Sequence, residues 1–356
     1  MFKDKTKVAL RDLIEQVGTQ TPKVIATSLR EGKVRPEDFS IREIWEACEP
    51  GRSVTEAVSS DMFPQITGEL INAKVIAGYN SIDAVGDMLC TTVPSRMEVD
   101  TIAGFNAVEM PEEVQQGRPY NESDMGEKYV TNRNKKFGRL ISVTEEAIYF
   151  DKTGQILAMA NRIGIKAKQH REKLIVEGVQ DINSTVFNVS GTAVAFYRTA
   201  ASGIRRINSR SATPFGEAGL EQALKLVHNM TDENGDYVGI PQGNLVGLFP
   251  FDVYRAALQM VRSPNVPESG ENAVNIYKAL FTPITSPYVT AQSTSTWYLG
   301  DFKMAFWWME VWPLQVFSAA PGHEQDFERD IKSRHKVRYF GNITGVDDKY
   351  GFKFTG

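Results

Sequence analysis

Apolar residues recur along this chain at two periods, and the alternation between them outlines its elements. Ile66, Leu70, Ala73 and Ala77 step by four, three and four, which predicts a helix over residues 63–79. Beyond Asp151 a longer stripe of Ile156, Ala160, Ile163, Ala167, Arg171 and Leu174 keeps the same rhythm up to Gly178, a residue suited to ending a helix. At a rise of about 1.5 Å per residue this element is on the order of 40 Å long. Leu220, Ala223, Leu224 and Val227 predict a third amphipathic helix over 217–230. Near the start, Val8, Leu10, Leu13, Ile14 and Val17 sit at helical spacing, with Gly18 and Pro22 ending the run. Ser40 with Glu43, and Ser142 with Glu145, have the spacing of capping boxes that open short helices. Extended character is predicted around residues 88–99, 128–143 and 245–249, in the aromatic run 304–312, and in a basic strand over 327–340.

The polar stretches carry the charge asymmetry. Residues 1–35 form a basic arm with eight cations, Lys3, Lys5, Lys7 and Arg11 foremost, against four carboxylates. Residues 104–128 are punctuated by Gly104, Pro111, Gly117, Pro119 and Gly126. There Glu109, Glu112, Glu113, Glu122, Asp124 and Glu127 face only Arg118 and Lys128, for a net charge of -4. So polar an insertion cannot bury a core of its own, and loops of this length in compact domains are usually either functional or mobile surface segments. The strand-like return over 128–143 predicts a two-stranded arm that docks on a neighbour, and the opposite charges nominate the cations of the long helix, Lys152, Arg162, Lys166 and Lys173, as its receiving surface.

Composition narrows the function classes. A chain of 356 residues, 42% hydrophobic and 24% charged, is ordinary globular material with length for two or three domains. Its net charge of -4 argues against a dedicated nucleic-acid binder. Cys48 and Cys90 are too few for a disulfide framework or a zinc site, which points to folding in a reducing cytoplasm. No signal peptide is expected, and the most apolar stretch, 304–317, is too short to span a bilayer. The sequence has no phosphate-binding glycine–lysine loop, no dinucleotide fingerprint and no nucleophile elbow. His170, His228, His323 and His335 lack partners at metal-ligand spacing, so neither metal nor cofactor is expected. Asp232 to Asp236 reads as a hairpin turn around Asn234-Gly235 rather than a calcium loop. Trp297, Trp307, Trp308 and Trp312 suggest packing before they suggest a sugar platform.

Two segments in order carry a family resemblance. The first is the basic extended stretch from Tyr129 (Tyr-Val-Thr-Asn-Arg-Asn-Lys-Lys-Phe-Gly-Arg-Leu-Ile-Ser-Val-Thr-Glu-Glu) that runs into the long helix. The second is Thr-Trp-Tyr-Leu-Gly-Asp-Phe-Lys from Thr296, followed by the aromatic run and a basic strand. Over roughly residues 60–350 the chain resembles the major capsid proteins of tailed bacteriophages, with an α+β fold of the Hong Kong 97 type. The resemblance implies an N-terminal arm (1–60), a peripheral domain with the spine helix (61–103 and 139–184), and an extended E-loop (104–138). It further implies an axial α/β domain (185–295), peripheral strands (296–340) and a C-terminal segment (341–356). It implies a non-enzymatic subunit that assembles with itself into hexamers and pentamers of an icosahedral shell, located in the virion after assembly in host cytoplasm. Its partners would be portal, scaffolding and decoration proteins and packaged double-stranded DNA, contacted non-specifically by Lys3, Lys5, Lys7 and Arg11; no membrane is involved. An encapsulin-like compartment is the alternative within this fold, and a soluble α/β enzyme or glycan-binding protein the alternative outside it. Some relatives cross-link through a lysine and an asparagine; Lys128, Lys135, Lys136 and Asn342 have those residue types, but no carboxylate could be located to serve them.

Overall fold

The computed structural model describes residues 14, 16–17, 20–49, 51–53, 61–105, 127–201, 207–265, 274–319 and 329–356. In chain order its helices are α1 (Thr21–Arg30), α2 (Ile41–Cys48), α3 (Met62–Asn80), α4 (Gly86–Leu89), α5 (Glu145–Tyr149), α6 (Thr153–Gln180), α7 (Glu217–His228), α8 (Phe251–Arg262), α9 (Pro287–Thr290) and α10 (Phe302–Ala305). The strands are β1 (Thr91–Pro94), β2 (Val99–Phe105), β3 (Glu127–Arg133), β4 (Lys135–Thr144), β5 (Asn188–Val189), β6 (Thr192–Ala193), β7 (Ser209–Arg210), β8 (Val246–Phe249), β9 (Thr282–Thr285), β10 (Trp297–Gly300), β11 (Phe306–Ala319), β12 (Ile331–Gly345) and β13 (Gly351–Phe354). They form sheets of order β1-β11-β12-β4, β7-β13-β10-β8-β9 and β2-β3-β5-β6. Parallel and antiparallel pairs are mixed, so this is an α+β fold.

The chain divides into two compact units, and α6, β11 and β12 each contribute residues to both. The first unit comprises Met1–Asp83, Lys136–His170 and Trp312–Phe340. Its core joins Ile44, Trp45, Phe63, Ile66, Ile71 and Val75 to Ile141, Val143, Ile148, Ile156, Leu157, Ala160 and Val337. Trp45 meets Phe63 edge-on at 5.1 Å between ring centroids. In this core α3 and α6 touch backbone to backbone. A Cβ at Gly164 would lie 2.0 Å from the Val75 carbonyl oxygen, and one at Gly78 would lie 2.2 Å from that of Asn161. Two glycines, one on each helix, therefore set the closeness of the crossing.

The second unit comprises Ala84–Lys135, Arg171–Val311 and Gly341–Gly356. Its main core packs Leu220, Ala223, Phe249, Ala257, Trp297, Leu299, Phe352 and Phe354 around the five-stranded sheet. Trp297 stacks on Phe354 at 4.4 Å and donates its indole N–H to the Thr213 carbonyl at 3.0 Å. Asn234-Gly235 forms the expected turn: Asp232 accepts from the amides of Asn234 and Asp236, and Thr231 bridges Tyr237.

Several expectations change. Pro22, expected to stop a helix, sits in the first turn of α1, where its missing N–H costs nothing. The buried side of α3 follows Ile71, Val75 and Gly78, while Ala77 is exposed. Ser142 lies within β4, and α5 opens after Thr144 instead of from a Ser142 capping box. The stretch 88–99 opens with the short helix α4 before its strands. The long helix runs past Gly178 to Gln180, and Gly178 serves close packing: a Cβ there would lie 2.5 Å from Ile343. Lys168, on the same helix, is buried, with its ammonium 5.1 Å from the Tyr79 ring. Leu314 and Val316 of β11 pack against the core that holds Ile156 and Ala160, and no tryptophan of the aromatic run belongs to that cluster. Trp308 is buried instead against Gly341 and the Arg171 guanidinium.

Candidate assembly surface

The start of α6 is fixed by short polar contacts. Asp151 occupies left-handed backbone (φ 46°), and its carboxylate accepts from Ser40 at 2.8 Å and Thr153 at 2.6 Å. The Thr153 hydroxyl in turn accepts from the Ile41 amide at 2.8 Å. A carboxylate at a helix N-terminus faces the positive end of the dipole, so the arrangement ties α2 to the first turn of α6 electrostatically as well as sterically. Tyr149, Phe150 and Met159 are exposed, as is Leu140 on β4, at 59%, 65%, 48% and 58%. Exposed large apolar side chains grouped on rigid elements mark an interaction surface more often than chance. Beside them a cleft of about 700 Å³ is lined by Phe137, Leu140, Met159, Ile163, His170 and Tyr339 among others. His170 bonds Tyr339 through its Nδ1, and Phe137 packs edge-on against the imidazole at 4.8 Å.

The long-helix cations nominated from sequence are exposed but dispersed. Lys152 lies 5.7 Å from the Phe150 ring, Lys166 donates to Gln169 at 2.9 Å, and Arg162 points to solvent, all in the first unit. Lys173, in the second unit, pairs with Glu177 at 3.7 Å. Of the loop candidates, Glu109, Glu112, Glu113, Arg118, Glu122 and Asp124 lie outside the described residues. The same holds for Lys3, Lys5, Lys7 and Arg11; Lys128 is described only as a backbone position of β3.

In the second unit, β2 and β3 pair antiparallel from Val99↔Arg133 to Phe105↔Glu127, so the ends of the acidic insertion are held together. The base of this hairpin carries a polar brace that sequence reasoning missed. Asp100 accepts from Ser95 at 2.6 Å and from the Asn134 amide at 2.7 Å, and Asn132 donates to Asn134 at 2.9 Å. Asn342 donates to Asn132 at 3.3 Å and to the Arg133 carbonyl at 3.0 Å. Asn132 and Asn134 are buried, and buried amides need such partners. Only the density of asparagines near β3 could have signalled it.

Several titratable groups of the first unit are displaced by their surroundings, His335, Cys48 and Glu37 among them. Burial lowers His335 to about 4; its two ring nitrogens lie 3.1 Å from the hydroxyls of Ser333 and Ser318. Burial pushes the Cys48 thiol up to about 12, which leaves it unreactive. A hydrogen bond from Lys74 holds the Glu37 carboxyl below its usual range. Among the described residues no three His, Cys, Asp or Glu side chains converge as metal ligands, and no helix is long and apolar enough to cross a membrane.

No curated protein matches the sequence. Solved structures with a similar fold include the capsid of a native GTA particle, at 10% identity and a TM-score of 0.50 over 77% of this chain and 91% of that one. A virus-like particle from Pyrococcus furiosus aligns at 8% identity and a TM-score of 0.44, over 80% and 97% of the two chains. The Mycobacterium phage Patience protein aligns at 11% and 0.48, over 81% and 87%. At these identities the likeness concerns fold alone. Sequence decides the family: a model of phage capsid proteins matches residues 128–353, from β3 through β13. A match over well over half of the residues, on a fold shared with a particle-forming capsid, means that this chain belongs to the phage capsid protein family.

Proposed function

We propose that the chain is the major capsid protein of a tailed bacteriophage, a structural subunit that assembles with itself into an icosahedral shell around packaged double-stranded DNA. The observation that carries this reading is the family match, which runs through the longest elements of the fold, α6, β11 and β12. In Hong Kong 97 terms α6 is the spine helix, and β4 with β11 and β12 belongs to the peripheral domain. Residues 104–138 are the E-loop, which leaves and re-enters through the β2–β3 hairpin, and residues 185–295 are the axial domain. The spine and sheet supply stiffness, the axial domain gathers subunits around symmetry axes, and the E-loop reaches across a neighbour. Individual contacts need only be modest, because closure of a symmetric shell multiplies them. The exposed apolar pairs Leu140 with Met159, at the cleft, and Tyr149 with Phe150 supply surface for such contacts. The arm with Lys3, Lys5, Lys7 and Arg11 faces the lumen and its DNA, where phosphate contacts would be sequence-independent and strongly salt-dependent. Portal, scaffolding and decoration proteins complete the set of partners. Size-exclusion chromatography with electron microscopy of the purified chain is the test: closed particles of megadalton mass are expected, and a persistent monomer or small oligomer under all assembly conditions would refute the shell.

A further inference from the structure

Alternation along β12 sorts its residues onto two faces. Val337 enters the core shared with Ile156 and Ala160, so Lys336 and Arg338 project from the opposite face. On that face the Arg338 guanidinium carbon lies 4.3 Å from the ring centroids of both Trp312 and Phe317. Trp312 is held in turn by Phe340, edge-on at 5.2 Å. The Lys336 ammonium lies 5.7 Å from the Phe317 ring. Phe317 remains 42% exposed, and the buried Nε of Arg338 has no hydrogen-bond partner among the described residues. Neither cation has a carboxylate partner there. A guanidinium stacked between two rings keeps its outer N–H edge oriented while its faces are desolvated, the geometry that favours a bidentate oxyanion.

The ligand follows from charge. Each ring already carries a cation, so the strip presents positive charge ahead of free aromatic faces for stacked bases. The chain's own residues 104–128 carry a net charge of -4, the complement of this strip. The long-helix cations are scattered, and two of them are engaged by Gln169 and Glu177. We propose that Arg338, clamped by Trp312 and Phe317 with Lys336 beside it, is a carboxylate receptor for the acidic segment 109–127 of a second copy of this chain. The proposal rests on the shell reading and moves the receiving surface from the long helix to the strand face.

The test titrates a labelled synthetic peptide of residues 106–127 into unassembled full-length subunits. Binding is expected to weaken with salt and to fall roughly tenfold or more in both Arg338→Ala and Arg338→Lys, since lysine keeps the charge but not the planar stack. It should be unchanged in the Arg162→Ala/Lys166→Ala double variant, and absent for a peptide whose acidic residues are replaced by their amides. Thermal melts establish folding, and Arg338→Lys is decisive if the alanine variant fails to fold. Undiminished binding in Arg338→Lys, or loss only in the long-helix double variant, would overturn the clamp. So would Arg338-dependent binding of a DNA duplex with no binding of the peptide. Wild-type particles without peptide binding sink the clamp alone, whereas a wild-type chain that never forms particles sinks the shell reading separately.

Discussion

Gly164 illustrates how a single hydrogen can set a helix crossing. Adding a methyl group there forces it into the Val75 carbonyl, which is backbone and cannot swing away. Gly164→Ala is expected to cost about 1–3 kcal/mol by overpacking, read as a lower denaturation midpoint of the unassembled subunit. Buried Trp308, replaced by alanine, should cost about 3–5 kcal/mol and yield insoluble or unassembled protein. His335 predicts an acid response. Its folded value of about 4 lies below the ordinary 6.5, so the unfolded chain takes up the proton first as pH falls. Its effect is nil above about pH 6.5, grows through the window down to about 4, and reaches roughly 3 kcal/mol of lost stability. His335→Gln should flatten stability against pH in that window; an unchanged slope would assign the acid response elsewhere. Of these roles only the packing of Trp308 was legible in sequence. Glycine spacing announces neither which backbone will approach nor, for Gly178, whether the residue ends a helix or admits Ile343.

At the level of elements, periodicity carried most of the information. The stripe from Ile156 to Leu174 located α6, and Leu220, Ala223 and Val227 located α7, because one buried face leaves a spacing signature that needs no knowledge of the partner. The helix α1 escaped because proline can either open or close a helix, and only position within the turn decides. The brace of Ser95, Asp100, Asn132, Asn134 and Asn342 escaped for another reason: its hydrogen-bonded members are separated by up to 210 residues, and polar side chains leave no periodic trace. The brace and the β2–β3 ladder close the base of the insertion without help from its tip. Deleting residues 109–127 should therefore leave a folded, soluble subunit and abolish shells. Normal particles from that deletion would sink the docking arm, and a collapsed circular-dichroism spectrum would show that the tip supports the fold.

For the whole molecule, charge is the most informative property that sequence alone provides. Eight cations against four carboxylates over residues 1–35 stand beside a net charge of -4 for the complete chain, so the remainder is acidic. Such polarity predicts sidedness in a closed particle. With the arm in the lumen, an external protease should leave residues 1–20 intact in assembled particles and remove them from unassembled subunits. Rapid clipping of particles there would put the arm outside. The sheet orders carry a further consequence, for the timing of synthesis. In β1-β11-β12-β4 and in β7-β13-β10-β8-β9, every interior position but that of β8 is filled from the last part of the sequence, by β10, β11, β12 and β13. Of the earlier strands, β1, β4 and β7 pair only with these and must wait for them, whereas β8 can pair with β9 first. Pairings as distant as Thr91↔Trp307 are slow, because loop closure precedes any reward. A nascent chain on the ribosome thus completes neither sheet until β10–β13 emerge, and the apolar surface that those strands cover stays open until then.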